Sequence, residues 1–302
     1  MAHLLVLGDG WVGRAVVEAA SGYSVSVIDP PLHPVFCNRD RDAMEALQKF
    51  IQQNRTTTVI NACGRLRGSE AELNDANAEF PRWLCMTLSG TGVRLIHVGS
   101  ASEYGDPQSA QRVTENSPQR AIGPYACSKA AGTEAVLRAR DAGLDATVVR
   151  VFNIVGYPIP AVSPIYQWLT DLRSLGSAKG SSIDVWWPPT TRDFVMIEDV
   201  ATALLDLASV EESQGLVNLC SGVGLQFGSI AQAIATELGS STTVRSLEKP
   251  GIETVVGDPG LLRKTIVAPG FYRTVPGAPA CGPAASRHGG GSRPTGCRTR
   301  LG

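Results

Sequence analysis

The order of short apolar runs and helical stretches constrains the fold of this sequence more than any other feature. Apolar runs of strand length occur at residues 4–7, 25–28, 58–60, 93–98 and 147–152. Stretches with helical spacing of apolar residues lie between them, at residues 12–20, 41–52, 73–88 and 125–142. Such alternation is typical of a parallel sheet with helices on both faces. The sequence therefore predicts an α/β fold, with a doubly wound parallel sheet of the Rossmann type.

The pattern becomes irregular after Gly156, where prolines and the tryptophans Trp168, Trp186 and Trp187 interrupt the alternation. We therefore expect an NAD(P)-binding Rossmann domain over residues 1–155, to which residues 194–219 return, and a smaller, loop-rich substrate-binding part formed by residues 156–193 and 220–272. Ligands of open α/β sheets bind outside the carboxyl ends of the strands. The expected site lies at that edge, covered by the smaller part.

The charge of the chain is close to balanced, with 27 basic and 28 acidic residues. A net charge of −1 provides no overall field for a polyanion or a membrane surface, so neither nucleic acid nor a membrane is predicted as a partner. The balance is uneven, because residues 273–302 contain five Arg and no acidic residue, which leaves residues 1–272 with a net charge of −6. This basic tail is rich in Gly and Pro and is predicted to be disordered. A basic arm for an anionic partner and an end altered by a shifted reading frame are the alternatives.

Apolar stretches and cysteines place further limits on the class of protein. No stretch of about 18 apolar residues occurs, and the run Leu4–Leu7 is too short for the apolar region of a signal peptide, so we expect a cytoplasmic protein. The seven cysteines form no CxxC pair, which favours free thiols and predicts no metal site. They are Cys37, Cys63, Cys85, Cys127, Cys220, Cys281 and Cys297.

A glycine-rich turn follows the first apolar run and opens the first helical stretch. Gly8, Gly10 and Gly13 form a GxGxxG pattern, with Trp11 and Val12 between the second and third glycines. In this context the glycines permit a tight turn, a close approach of backbone to a pyrophosphate, and close packing of helix and strand. The helix N-terminus would offer unpaired N–H groups to the anion. These five residues are predicted to bind a dinucleotide.

An acidic residue at the end of the second run bears on the choice of cofactor. Asp29 lies 21 residues after Gly8, where a carboxylate would accept hydrogen bonds from an adenosine ribose. A 2′-phosphate would meet a like charge there, so Asp29 favours NAD(H). NADP(H) remains possible, because Arg14 or Arg39 can serve a phosphate.

A tyrosine and a lysine one helical turn apart form a candidate acid–base pair. Tyr125 and Lys129 stand at the start of the fourth helical stretch, and Ser100 follows the fourth apolar run. A phenol with an ordinary pKa near 10 is a poor acid or base at neutral pH. An ammonium one turn away, with an oxidised nicotinamide nearby, favours the phenolate and would lower that pKa toward the working range. Ser100 can hydrogen-bond the oxygen whose proton Tyr125 moves.

These motifs stand in the order of a known family. The GxGxxG turn, Ser100, YxxxK, the segment 150–153 and the segment 192–200 together resemble the extended short-chain dehydrogenase/reductases, the NAD-dependent epimerase/dehydratase group that works on nucleotide sugars. The resemblance covers about residues 3–265. It implies that Ser100, Tyr125 and Lys129 are catalytic and that Tyr125 and Lys129 also contact the cofactor. It further implies a cofactor-lining segment after the family's fourth strand, formed by Asn61, Ala62, Cys63 and Gly64.

The resemblance also implies a substrate and an assembly. A nucleotide sugar is the expected substrate, with Asn153 and Arg192 on its diphosphate and Ser100 and Ser102 completing the predicted substrate-binding residues. Asn77 stands where the family has an Asn early in the next helical region. A homodimer is expected, through a four-helix bundle made by residues 73–88 and 125–142 of each chain.

Departures from the family narrow the expected reaction. Leu7 occupies the position of the family's usual first glycine, and Ala101 and Ser102 stand where the sugar 4,6-dehydratases carry Asp-Glu, so dehydration is not predicted. The sequence around Ser100 and Tyr125 is most similar to that of the GDP-4-keto-6-deoxymannose reductases. The sequence therefore favours an NAD(P)H-dependent reductase of a nucleotide-activated 4-keto-6-deoxy sugar. A nucleotide-sugar 4-epimerase with tightly bound NAD, a ketoreductase of a non-sugar biosynthetic intermediate and a non-catalytic cofactor-binding protein remain alternatives.

Overall fold

The computed structural model describes residues 2–29, 38–107, 112–175, 182–186, 190–239, 243–247 and 252–266. The predicted disordered tail and Cys37, Trp187, Cys281 and Cys297 lie outside these residues. In chain order the strands are β1 (His3–Leu7), β2 (Ser24–Ile28), β3 (Thr56–Asn61), β4 (Arg94–Ser100), β5 (Ala146–Val151), β6 (Asn153–Val155), β7 (Ser182–Trp186), β8 (Thr191–Met196), β9 (Leu216–Leu219), β10 (Gly224–Gln226), β11 (Thr243–Leu247) and β12 (Thr254–Val255).

The helices connect these strands. They are α1 (Trp11–Ala19), α2 (Arg41–Asn54), α3 (Glu70–Asn74), α4 (Phe80–Leu88), α5 (Pro124–Asp141), α6 (Pro164–Leu175), α7 (Ile197–Ser209), α8 (Phe227–Glu237) and α9 (Gly260–Thr265). A π-helical segment, Asp75–Glu79, joins α3 to α4, and a 3-10 turn, Ala101–Tyr104, follows β4.

Six strands form one parallel sheet in the order β2-β1-β3-β4-β5-β9. Buried residues of α7 and α9 pack on one face of this sheet together with Val16 of α1, and buried residues of α2, α4 and α5 pack on the other face. The predicted α/β fold with a doubly wound parallel sheet is confirmed. The strand order reverses between β1 and β3, and the glycine-rich turn follows β1 at that point. Such a crevice at the strands' carboxyl ends is where open α/β sheets bind ligands.

Smaller sheets lie beyond the six-stranded unit. β8 pairs with β6, β10 and β12, and β7 pairs with β11. α6, α8 and β7 share a separate apolar cluster that includes Trp168, Val185 and Ala231. β8 therefore belongs to a small sheet, and the chain rejoins the six-stranded sheet through α7 and β9. The division of the chain into a cofactor part and a substrate part stays a prediction.

The helical stretch predicted at residues 73–88 is interrupted by the π-helical segment. Pro81 has no N–H and cannot donate the usual helical hydrogen bond to the Asn77 carbonyl. The N–H of the preceding residue, Phe80, donates to the Asp75 carbonyl, five residues back, as in a π-helix. Gly132 of α5 lies against this point, since a Cβ there would overlap the Asn77 carbonyl oxygen. The proline thus sets the irregular turn, and the glycine lets α5 approach it.

Three findings concern membranes, metals and thiols. Among the helices in the described ranges, none is long and apolar enough to cross a membrane. The same residues contain no group of three or more His, Cys, Asp or Glu placed to hold a metal ion. Cys63, Cys85 and Cys220 are buried free thiols, and Cys127 is an exposed one.

Candidate active site

A cavity of about 660 Å³ brings most of the predicted site residues together at the carboxyl edge of the sheet. Its lining includes Trp11, Val12, Ala62, Cys63, Gly64, Ser100, Ser102, Tyr125, Lys129, Asn153 and Arg192. Gly8, Gly10, Gly13, Asp29 and Asn61 are not in that lining. The segments that carry these residues are far apart in sequence, so the fold alone assembles the site.

The glycine-rich turn has the geometry of an anion cradle. Gly8 has a φ of 101°, and its N–H donates to the Ile28 carbonyl at 2.8 Å. A Cβ at Gly13 would overlap the Gly8 carbonyl oxygen, so close packing of α1 on the turn requires a glycine there. A Cβ at Gly10 would have no atom within 4 Å, and no side chain caps the N-terminus of α1. The N-terminus of α1 therefore has no side-chain cap and has room beside Gly10, which fits a pyrophosphate.

Asp29 lies beside this turn, in a shallow recess of about 440 Å³ shared with Asp9 and Arg14. Arg14 donates two hydrogen bonds of 3.0 Å to the Asp9 carboxylate. Arg39 is paired with Asp75. Both arginines that the sequence offered for a 2′-phosphate thus have acidic partners.

The buried side-chain amide of Asn61 holds the segment that follows β3. Asn61 is wholly buried, and its Oδ1 accepts the Cys63 N–H at 3.1 Å while its Nδ2 contacts His97 Nδ1 at 3.0 Å. Ala62, Cys63 and Gly64 reach the cavity above it. Burial raises the pKa of the Cys63 thiol, so this cysteine stays protonated at neutral pH. In this chain the segment follows the third strand, since no strand separates β2 from β3 within the residues that the structure describes.

Asn77 also lines the cavity, next to the segment that follows β3. Its Oδ1 accepts the Arg65 N–H at 2.8 Å, and its Nδ2 donates to the Arg65 carbonyl at 2.8 Å and to Ser128 Oγ at 3.0 Å. The amide therefore joins the Arg65 loop to α5. Asn77 is wholly buried and stands in the π-helical segment at the cavity wall.

Ser100, Tyr125 and Lys129 meet where β4 ends and α5 begins. Lys129 Nζ donates to the Val98 carbonyl at 2.6 Å, and burial lowers the pKa of this ammonium while Glu103 acts in the opposite direction. Burial raises the pKa of Tyr125, and a side-chain hydrogen bond with Ser100 acts against that rise. Ser100 Oγ also lies 2.8 Å from Ser102 Oγ. Because burial is the larger influence on its pKa, the Tyr125 phenol is protonated at neutral pH.

The expected lowering of the Tyr125 pKa requires an oxidised nicotinamide beside Lys129 and stays a prediction. The ammonium is turned to the Val98 carbonyl, and removal of the half-buried phenol from water is the largest influence on its pKa. A protonated phenol is the form that donates a proton to a substrate oxygen.

A buried charge network behind Ser100 was missed by the sequence analysis. Arg150 Nε donates to Glu103 Oε2 at 2.7 Å, and both side chains are almost wholly buried. The Arg150 guanidinium lies 4.5 Å from the ring centroid of Tyr104, whose hydroxyl donates to Asn218 Oδ1 at 2.6 Å. The available signal was an arginine inside the apolar run 147–152, because a charge in a buried strand needs a partner.

Arg192 enters the cavity from β8. Its guanidinium donates to the backbone carbonyls of Thr191 and Ile252 at 2.9 Å and lies 6.0 Å from the Phe227 ring centroid. Burial lowers the pKa of Arg192, although a guanidinium stays charged at neutral pH. The backbone therefore fixes the direction of a partly desolvated cation that lines the cavity.

Asp193 holds the loops around Arg192. Its carboxylate accepts hydrogen bonds from Ser221 N–H and Oγ, Gly222 N–H and Gly257 N–H, at 2.6 to 3.2 Å. Its backbone carbonyl accepts from Asn153 Nδ2 at 2.9 Å. Burial raises the pKa of Asp193 and the four hydrogen bonds act against that rise. The carboxylate binds neighbouring loops rather than a ligand.

Sequence comparison gives the chain a family context. A model of the NAD dependent epimerase/dehydratase family matches residues 4–220. A dTDP-6-deoxy-L-talose 4-dehydrogenase (NAD(P)(+)) from Kitasatospora kifunensis is 28% identical over 266 residues, which cover 82% of this chain and 83% of that protein.

Comparison with solved structures agrees with the fold. The structure of RMD from Pseudomonas aeruginosa with NADPH has a TM-score of 0.74 at 20% identity, over 88% of this chain and 93% of that one. The structure of UDP-glucose 4-epimerase from Thermus thermophilus with NAD has a TM-score of 0.71 at 21% identity, over 87% and 92% of the two chains. At these identities the likeness concerns the fold.

Proposed function

The chain belongs to the NAD dependent epimerase/dehydratase family, and on that premise we propose that it is an NAD(P)H-dependent reductase of a nucleotide-activated 4-keto-6-deoxy sugar. The observation that carries the proposal is the arrangement of the cavity. A phenol held protonated by burial lies beside the Ser100 hydroxyl and one turn from Lys129, with the Arg192 cation in the same lining.

Each of these residues has a role in reduction of a ketone. When bound, a reduced nicotinamide cofactor supplies the hydride. Ser100 donates a hydrogen bond that fixes the carbonyl oxygen, and Tyr125 transfers its proton to that oxygen as the carbon accepts the hydride. Lys129 binds the nicotinamide ribose and stabilises the phenolate left behind. Tyr125 is protonated at neutral pH and can donate this proton, although burial, by raising its pKa, makes the phenol a weaker acid.

The residues around the turn fit a dinucleotide, and we propose a preference for NAD(H). The open N-terminus of α1 at Gly10 would take the pyrophosphate. Asp29 would accept hydrogen bonds from the adenosine ribose. The pairing of Arg14 with Asp9 and of Arg39 with Asp75 supports this preference, because each arginine would have to leave a carboxylate to bind a 2′-phosphate.

The far end of the cavity suits a nucleotide diphosphate. The Arg192 guanidinium is held by a hydrogen bond to the Ile252 backbone carbonyl. Other residues of the lining are apolar, among them Trp168, Phe194 and Phe227. Asn153 and Ser102 complete the proposed substrate contacts. Ala101 and Ser102 lack the carboxylates that dehydration would require. The Kitasatospora relative is named for oxidation at C4 of a dTDP-linked 6-deoxy sugar, which is the reverse of the proposed reduction.

The assay that tests the proposal measures cofactor consumption. Purified protein is incubated with NADH or NADPH and with dTDP- and GDP-linked 4-keto-6-deoxyhexoses, assayed separately, and absorbance at the nicotinamide wavelength is followed with product analysis. Net oxidation of cofactor with formation of the 4-hydroxy sugar is expected, with higher kcat/KM for NADH. In a parallel incubation with the corresponding 4-hydroxy sugars and NAD, interconversion of C4 epimers without net cofactor consumption would instead identify an epimerase. Reduction of non-sugar ketones alone would remove the nucleotide sugar from the proposal.

Replacement of Arg192 by Ala is expected to weaken substrate binding. Loss of the charged hydrogen bonds to the diphosphate should raise the substrate KM about 10- to 100-fold, with kcat changed by less than about threefold. Arg41→Ala is the matched control, because Arg41 lies on the surface of α2 in an exposed pair with Glu45. A fall in kcat at constant KM would show that Arg192 does not bind the diphosphate.

We also propose a cytoplasmic homodimer formed through the α3–α4 region and α5. α4 and α5 pack side by side, and Met86 of α4 is 55% exposed, which suits an apolar contact with a second chain. Light scattering of the purified protein measures the assembly directly, and a monomeric mass would reject it.

A further inference from the structure

We propose that Glu103 is a positioning residue, whose buried carboxylate fixes Ser100 at the end of β4 against α5 and thereby sets the placement of Ser100 relative to Tyr125. The inference rests on the proposed function, since it concerns the two residues that hold and protonate the ketone oxygen there. Glu103 itself lies outside the cavity lining and is wholly buried.

One oxygen of Glu103 joins the two elements that carry these residues. Oε1 accepts the Ser100 N–H at 2.8 Å and the Thr133 hydroxyl at 3.0 Å. Thr133 lies four residues after Lys129 and eight after Tyr125, so the three side chains share one face of α5. The carboxylate therefore bridges the backbone of Ser100 to the helix face that presents Tyr125 and Lys129.

The other oxygen prevents the bridge from rotating. Oε2 accepts from Arg150 Nε at 2.7 Å, and the guanidinium rests on the Tyr104 ring. Gly99 leaves room for this arrangement, because a Cβ there would lie 3.0 Å from Glu103 Oε1 and 3.3 Å from Thr133 Oγ1. Three donors from β4, β5 and α5 thus converge on one buried carboxylate.

Placement matters here because proton transfer and hydrogen bonding to the ketone oxygen depend steeply on distance. A misplacement of about 1 Å can reduce the rate by about 100-fold without a change in the reacting groups. A carboxylate that served only the stability of the fold would alter unfolding when disturbed, and it would leave kcat of the folded enzyme unchanged. The two roles therefore predict different measurements.

Variants at Thr133 separate these roles without disturbing the Glu103–Arg150 pair. Thr133→Val removes the hydroxyl that links α5 to Glu103 and keeps the side-chain shape, and Thr133→Ser keeps the hydroxyl. Thr87→Val is the matched control: Thr87 is also wholly buried, and its hydroxyl donates to the Trp83 carbonyl within α4. For each variant we measure kcat and KM with dTDP- and GDP-linked 4-keto-6-deoxyhexoses, the cofactor Kd by protein fluorescence, and thermal unfolding.

Thr133→Val should lower kcat about 10- to 100-fold, with KM and cofactor Kd within about twofold of wild type. Thr133→Ser should recover at least about half of the wild-type kcat, and Thr87→Val should keep it. A kcat for Thr133→Val equal to that of Thr87→Val would overturn the inference, as would a matching loss of cofactor affinity. If Thr133→Val does not fold, Thr133→Ala gives the same comparison. Failure of the wild type to reduce either ketone would reject the proposed function instead.

Discussion

Tyr125→Phe should reduce turnover about 10²- to 10⁴-fold while leaving cofactor and substrate binding within about threefold of wild type. The substitution removes only the hydroxyl that donates the proton, so the shape of the cavity wall stays the same. The hydride acceptor would then develop negative charge on its oxygen with only Ser100 to stabilise it. Single-turnover oxidation of reduced cofactor, with separate measurement of the cofactor Kd, checks the expectation.

A tyrosine elsewhere in the fold provides the control for this substitution. Tyr23 is half-buried, its hydroxyl bonds to Ser209, and neither residue lines the cavity. Tyr23→Phe removes the same atom and should keep the wild-type turnover. Equal activity of Tyr125→Phe and Tyr23→Phe would remove Tyr125 from the mechanism and would leave a protein that binds the cofactor without using this phenol.

The fold of the main sheet was predictable because its signals are local. Apolar runs and helical periodicity indicated β1 to β5 within a few residues, and the GxGxxG turn followed the expected strand. Three strands of the small sheets, β6, β10 and β12, were not predicted, because they are only two or three residues long. Strands of that length acquire their partners from tertiary packing and carry no periodicity of their own.

In the candidate site, the catalytic candidates that line the cavity were predicted from the sequence, whereas the buried carboxylates that support them were not. Motif spacing indicated Ser100, Tyr125 and Lys129, and the fold brings all three to one cavity. No role was assigned to Glu103 or Asp193 from the sequence, since a sequence does not show which charges become buried together. Their partners, Arg150 for one and the Ser221 loop for the other, lie 47 and 28 residues away.

Arg150→Met is expected to cause the largest loss of stability among the substitutions considered. Removal of the guanidinium leaves the Glu103 carboxylate buried without its counter-charge, which costs about 3–5 kcal/mol of the free energy of unfolding. At about 2–4 °C per kcal/mol the unfolding midpoint should fall by about 10 °C. Thermal and denaturant unfolding measure the change, and Arg41→Met, in an exposed pair with Glu45, should leave the midpoint within error.

The double substitution Glu103→Gln with Arg150→Met decides whether the unpaired charge is the cause. Gln keeps an oxygen that can accept from Ser100 N–H and Thr133, while no charge remains in the buried site. Its stability should therefore exceed that of Arg150→Met alone, although one more residue has been changed. If the double variant is the less stable of the two, the loss in Arg150→Met comes from packing against Tyr104, and the carboxylate then tolerates its burial through its hydrogen bonds alone.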